Sequence, residues 1–196
     1  MSDLIYDRTT ALVVVDVQND FADPNGNLYV VGGEDVVPVV NAEIASARSA
    51  GARVVYTADW HPESTPHFAK DGGIWPVHCV GDTWGASFHP NLIVDGPVVR
   101  KGTGGEDGYS GFSMKDPEGD EVTDTGLRDQ LARWGIEKIV VCGLATDYCV
   151  KATALDGLSA GFSVALLTEA IRPVDLEAGD GDRAIADMSK AGCTVV

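Results

Sequence analysis

Six short apolar runs punctuate the chain: ALVVVD at 11–16, RVVYTA at 53–58, PVVRK at 97–101, KIVVCG at 138–143, SVALLT at 163–168 and CTVV at 193–196. Most are near-continuously apolar, as strands covered on both faces tend to be. Between them, the stretches 35–50, 124–134, 147–160 and 177–191 carry an amphipathic, helical pattern. Gly51, Gly135, Gly161 and Gly192 follow their ends, where a left-handed residue past the last turn belongs. The alternation predicts an α/β fold, a three-layer α/β/α sandwich around a mainly parallel, six-stranded, Rossmann-like sheet. No repeat, low-complexity tract or linker breaks the pattern, so a single domain over 1–196 is expected. Two loop-rich regions, 60–96 and 102–122, are long for a compact domain, and such loops usually carry function.

Strand ends give the first hint of chemistry. In open α/β sheets ligands bind outside the carboxyl ends of the strands. Asp16 ends the first run, Asp59 and His61 follow the second, Lys101 ends the third and Cys149 follows the fourth. All fall on one edge of the sheet. A thiol of reference pKa about 8.5 is only a few per cent thiolate at neutral pH and needs help to react. A lysine can stabilise the thiolate and an aspartate can remove its proton. The helix predicted to start near Asp147 would add its N-terminal dipole and unpaired N–H groups. From the residues alone, Cys149 is as readily an inert core thiol as a nucleophile. A second cluster, Asp59, His61, His67 and His78, offers one carboxylate and three imidazoles, a set suited to Zn, Fe or Mn as one divalent ion. Solvated loop histidines are the alternative there.

Composition removes some classes. With 44% apolar residues the 196-residue chain has a globular composition, and its formal charge of −16 argues against a nucleic-acid partner. No apolar run approaches the roughly 20 residues of a membrane span, and MSDLIYDRTT has no leader pattern. Cys79, Cys142, Cys149 and Cys193 are scattered without paired spacing, which points to a reducing, cytoplasmic setting. Cys142 lies within a strand and reads as core; Cys193 has no partner in sequence, and Cys79 is not assigned as a ligand.

The segments ALVVVDVQNDF, TADWH, WPVHCV, VVRKGT, GYSGF and GLATDYCV, in that order, resemble the nicotinamidases (pyrazinamidases) of the isochorismatase-like cysteine hydrolases. The match runs from about residue 11 to residue 170. The resemblance implies a catalytic Asp16, Lys101 and Cys149, acting on a small aromatic amide through a thioester. It implies an oxyanion hole from the N–H groups of Ala145 and Cys149, beside a cis Leu144–Ala145 peptide. It implies metal ligation by Asp59, His61 and His78, with His67 a ligand in some members only, and a metal that orients the pyridine ring. Phe21, Trp75 and Tyr109 match ring-contacting positions, and His89 is left structural. Neither nucleic acid nor membrane is expected as a partner, and self-assembly into a homo-oligomer is left open. Three other readings stand beside this one: a relative cleaving a different small amide, a metallohydrolase with a structural Cys149, and a non-catalytic binding module. The relatives generally lack the metal triad, and a binding module has no need of Asp16, Lys101 and Cys149 together.

Overall fold

The computed structural model describes residues 6–196; residues 1–5, part of the segment read above for a leader pattern, lie outside the described residues. The chain opens with β1 (Thr10–Val15), a single short turn α1 (Asn19–Ala22), α2 (Val36–Ser49) and β2 (Arg53–Asp59). Next come β3 (Val98–Lys101), β4 (Ser113–Lys115), β5 (Val122–Asp124), α3 (Leu127–Arg133) and β6 (Lys138–Leu144). A wide, π-helical turn over Thr146–Val150 leads into α4 (Lys151–Ser159), and β7 (Ser163–Arg172), α5 (Asp180–Ala191) and β8 (Thr194–Val195) complete it.

Six strands form one parallel sheet in the order β3-β2-β1-β6-β7-β8. Strand order reverses between β1 and β6, because the chain first winds outward to β3 and then returns to the other side of β1. Such a switch point leaves a crevice at the carboxyl ends of the two central strands. Alternation along each strand sends side chains to opposite faces. Leu12, Val14, Tyr56, Val140 and Cys142 pack with Val36, Val40 and Ile44 of α2 on one face. Ala11, Val13, Val55, Ile139 and Val141 pack on the other with Leu127 and Leu131 of α3, Ala154 of α4 and Met188 of α5. Both faces are thus covered, which is why the strands read as unbroken apolar runs. Leu12, Ile139 and Leu166 are fully buried, and trimming any of them to alanine costs about 2–5 kcal/mol.

The predicted strands and helices are all present, with shorter helices than the pattern suggested. The helix expected over 124–134 begins at Leu127, because 122–124 is taken by β5 in a small antiparallel pair with β4. That pair was not predicted: its strands are three residues long and β5 is wholly exposed, so no apolar period marks them. Strand β7 runs on to Arg172, past the predicted end at 168, and pairs there with the carboxyl end of β6.

Candidate active site

Strand geometry places the principal groups. Asp16 is the first residue after β1 and adopts a left-handed backbone, φ 48°. Its carboxylate is fully buried; Oδ1 accepts from Thr57 Oγ1 at 2.6 Å, and Oδ2 lies 2.6 Å from Lys101 Nζ. Lys101 ends β3 and is itself fully buried. Its ammonium also contacts Asp59 Oδ1 and the Gly108 carbonyl, and lies 3.6 Å from Cys149 Sγ. Ligating atoms of Asp16, Asp59 and Cys149 lie within 4.8 Å of one another. Breaking a buried pair of this kind leaves an uncompensated charge, so the ammonium and its two carboxylates stand or fall together.

The charges follow from this packing. Burial raises Asp16 to about 6, against the pull of Lys101. Burial acts on Asp59 as well, but Lys101 and the imidazole of His61 outweigh it and hold that carboxyl far below its usual range. Burial would lower Lys101, but Asp16 and Asp59 keep it protonated well above its ordinary value. Burial also pushes the Cys149 thiol well above its ordinary value, with Lys101 opposing and the two carboxylates adding to the rise. Cys149 therefore rests as a thiol, next to a carboxylate able to take its proton.

On the far side of Asp59, ring nitrogens of His61, His67 and His78 lie within 4.8 Å of one another. Asp59 Oδ2 is 3.8 Å from the Nε2 atoms of both His61 and His78. The four predicted ligands therefore converge. His61 is buried, and neither of its ring nitrogens has a hydrogen-bond partner among the described residues, an arrangement that costs free energy unless something else takes a lone pair. The Nδ1 atoms of His78 and His67 are engaged by the Pro76 carbonyl at 2.8 Å and by Asp107 Oδ1 at 2.5 Å. Each bond directs the remaining nitrogen toward the cluster, the usual outer support of a metal-binding histidine. Burial lowers His78 to about 4, which keeps its ring neutral. The donor set fits a divalent cation.

Polar residues of the DVQND segment hold these loops in place. Gln18 donates to the Asp59 and Ala86 carbonyls at 2.8 and 2.9 Å and accepts from Asp59 N at 2.8 Å. Asn19 donates to the Trp84 carbonyl at 2.8 Å, and Asp20 accepts from Cys79 N at 2.7 Å. The residue beside His78 is thus fixed from α1. Phe21, from the same turn, packs its ring 5.4 Å from that of His78.

Between the thiol and the imidazoles lies a small cavity lined by Phe21, Trp75 and Tyr109, and also by Leu28, Tyr148 and Val174. Trp75 donates from Nε1 to the Tyr109 hydroxyl at 2.7 Å, and its ring meets Tyr148 edge-on at 4.7 Å. Ala145 and Cys149 form the adjoining wall, and the Leu144–Ala145 peptide is cis. The remaining cysteines and His89 stay outside. Cys142 and Cys193 belong to the two apolar cores, Cys79 Sγ faces the Gly85 carbonyl, and His89 accepts from Asn91 N at 3.3 Å. Asp107, Tyr148 and Val174 were not anticipated from sequence. Asp107 supports His67 across 40 residues of chain, and no local spacing signals such a pair.

An isochorismatase domain model matches residues 10–196. The chain is 36% identical to a nicotinamidase of Escherichia coli over 94% of its own length and 93% of the relative's. Among solved structures it superposes on a pyrazinamidase of Pyrococcus horikoshii in complex with zinc, with TM-score 0.84 and 40% identity, covering 96% of this chain and 98% of that one. It likewise superposes on PnC1 from L. infantum in complex with nicotinate, with TM-score 0.88 and 35% identity, covering 98% of this chain and 95% of that one.

Proposed function

The chain belongs to the isochorismatase domain family, and we propose that within it this protein is an amidase converting nicotinamide to nicotinate and ammonia. Pyrazinamide, a ring of the same size bearing the same carboxamide, is a second substrate. The observation that carries the reading is Lys101: one buried ammonium touches Asp16, Asp59 and the Cys149 thiol, beside a cavity lined by Cys149, Asp59, His67 and His78.

In the reaction proposed, Asp16 accepts the thiol proton as Sγ of Cys149 attacks the carboxamide carbon. Transfer and attack occur together, because a free thiolate beside two carboxylates is disfavoured. Lys101 neutralises part of the charge that gathers there. The backbone N–H groups of Ala145 and Cys149 stabilise the oxyanion. Protonated Asp16 then donates to the departing nitrogen, ammonia leaves and a thioester remains. A water molecule, deprotonated by Asp16, attacks the thioester, releases nicotinate and restores the thiol. Asp59, His61, His67 and His78 would hold one divalent ion, Zn²⁺, Fe²⁺ or Mn²⁺. When bound, it supplies a Lewis-acidic site for the lone pair of the ring nitrogen. The flat walls of Phe21, Trp75 and Tyr109 fix the ring plane.

Ammonia release from nicotinamide, with nicotinate measured alongside, tests this directly. Activity is expected in the metal-loaded protein and loss is expected with chelator and in Cys149→Ala. Full activity in Cys149→Ala would remove the thioester route and leave a metal-bound water as nucleophile.

A further inference from the structure

Asp147 stands two residues before the nucleophile, yet its side chain serves a different segment. Oδ1 accepts from the backbone N–H of Val174 at 2.9 Å, and Oδ2 accepts from that of Asp175 at 2.9 Å. One carboxylate thus takes both adjacent amides of the connection between β7 and α5. An aspartate in the first turn of a helix commonly caps its own helix. Here the turn has no side-chain cap, and both oxygens are spent elsewhere.

The connection's other ties run to the start of α5, where Glu177 N donates to Asp180 Oδ2 at 2.9 Å and Arg183 Nη1 donates to the Ala178 carbonyl at 3.2 Å. Residues 175–178 are exposed, and Leu176 is 61% accessible. Pro173 has no N–H to offer. Asp175 stands at φ 53°, and its Oδ1 accepts from Gly181 N at 2.8 Å, so the far end is tied to the first turn of α5. Val174, held between these ties, is part of the cavity wall with Ala145 and Cys149.

We propose that Asp147 is a positioning residue that sets the ring clearance of the substrate pocket, by fixing the Val174 wall relative to the turn that carries Cys149. The inference rests on the amidase reading only for its choice of substrate. A carboxylate accepting two amides makes charge-assisted bonds, stronger than neutral ones, and restrains both translation and tilt of the segment. Val174 is then held against the ring, and substituents on that edge are excluded.

The test compares wild type with Asp147→Asn, which keeps one acceptor, and Asp147→Ala, which keeps none. KM for nicotinamide should rise about tenfold in Asp147→Ala and less in Asp147→Asn, with kcat within about threefold, a fraction of what two lost charge-assisted bonds are worth. The preference for nicotinamide over 5-methylnicotinamide should narrow in the same order. Alkylation of Cys149, located by mass spectrometry, supplies a readout without turnover: N-phenyl iodoacetamide should gain on iodoacetamide in both variants. An unchanged KM together with an unchanged alkylation ratio would overturn the proposal, as would a fall in kcat alone. If wild type releases no ammonia, the amidase reading fails while the alkylation ratio still decides the role of Asp147. Should Asp147→Ala fail to fold, Asp147→Asn carries the same comparisons.

Discussion

Lys101 is an ammonium without solvent, flanked by two carboxylates and a thiol, and those neighbours divide the labour among themselves. Asp59 is locked in its charged form, so Asp16 is the group whose charge changes near neutrality. A base must be deprotonated to work. With Asp16 near 6, kcat/KM for nicotinamide should climb about tenfold per pH unit below that value and level off above it. A profile without an acid limb near 6 would remove Asp16 as the base. The same shift has a stability consequence: Asp16 contributes fully below its ordinary carboxyl value, and that contribution fades as pH rises through about 6. Asp107 allows a second test at this scale. Its bond to His67 fixes which ring nitrogen faces the cluster, so Asp107→Ala should weaken metal affinity by about 10–100-fold. Competition against a chelator measures it, and an unchanged affinity would exclude His67 as a ligand supported in this way.

At the level of elements, β6 carries the tightest constraint. Gly143 lies at φ 110°, where the β6–β7 register shifts, and a Cβ there would fall 2.0 Å from the Val15 carbonyl oxygen. Any side chain must push β6 off β1, and the two strands deliver Cys149 and Asp16 to the same crevice. Gly143→Ala should therefore lower stability by about 3 kcal/mol or more, with activity lost in whatever folds. Denaturant melts and ammonia release check the two effects; wild-type values for both would show that the strands can part without consequence. What could be read in advance has the same physical basis. Strands buried on both faces announce themselves as apolar runs, and their carboxyl ends place Asp16, Asp59, Lys101 and Cys149 together without further information. The metal set was legible for a local reason, since its histidines all fall within 61–78. Tyr148 and Val174 were not, because a pocket wall made across the switch point has no spacing along the chain. The β4–β5 pair is equally silent, being three residues a strand with only Met114 buried.

Over the whole molecule, the formal charge of −16 sets a field that the active site works within. Nicotinamide is neutral, so its encounter with the pocket gains nothing from that field. The metal ion is attracted and the anionic product is repelled, and both effects weaken as salt shortens the Debye length from about 30 Å at 0.01 M to about 8 Å at 0.15 M. Between those two ionic strengths, kcat/KM for nicotinamide should stay within about twofold, metal uptake by the stripped protein should slow, and inhibition by added nicotinate should strengthen. Self-repulsion among exposed carboxylates is screened over the same range, so the melting temperature should rise by a few degrees, on the order of 1 kcal/mol of stability. Stopped-flow metal binding, product-inhibition kinetics and calorimetry read the terms separately. Nicotinate inhibition that is indifferent to salt would mean that the pocket, closed in by Trp75, Tyr109 and Tyr148, shields its contents from the surface charge. Product release would then be governed by those aromatic walls and the Asp147-held segment, and not by the field outside.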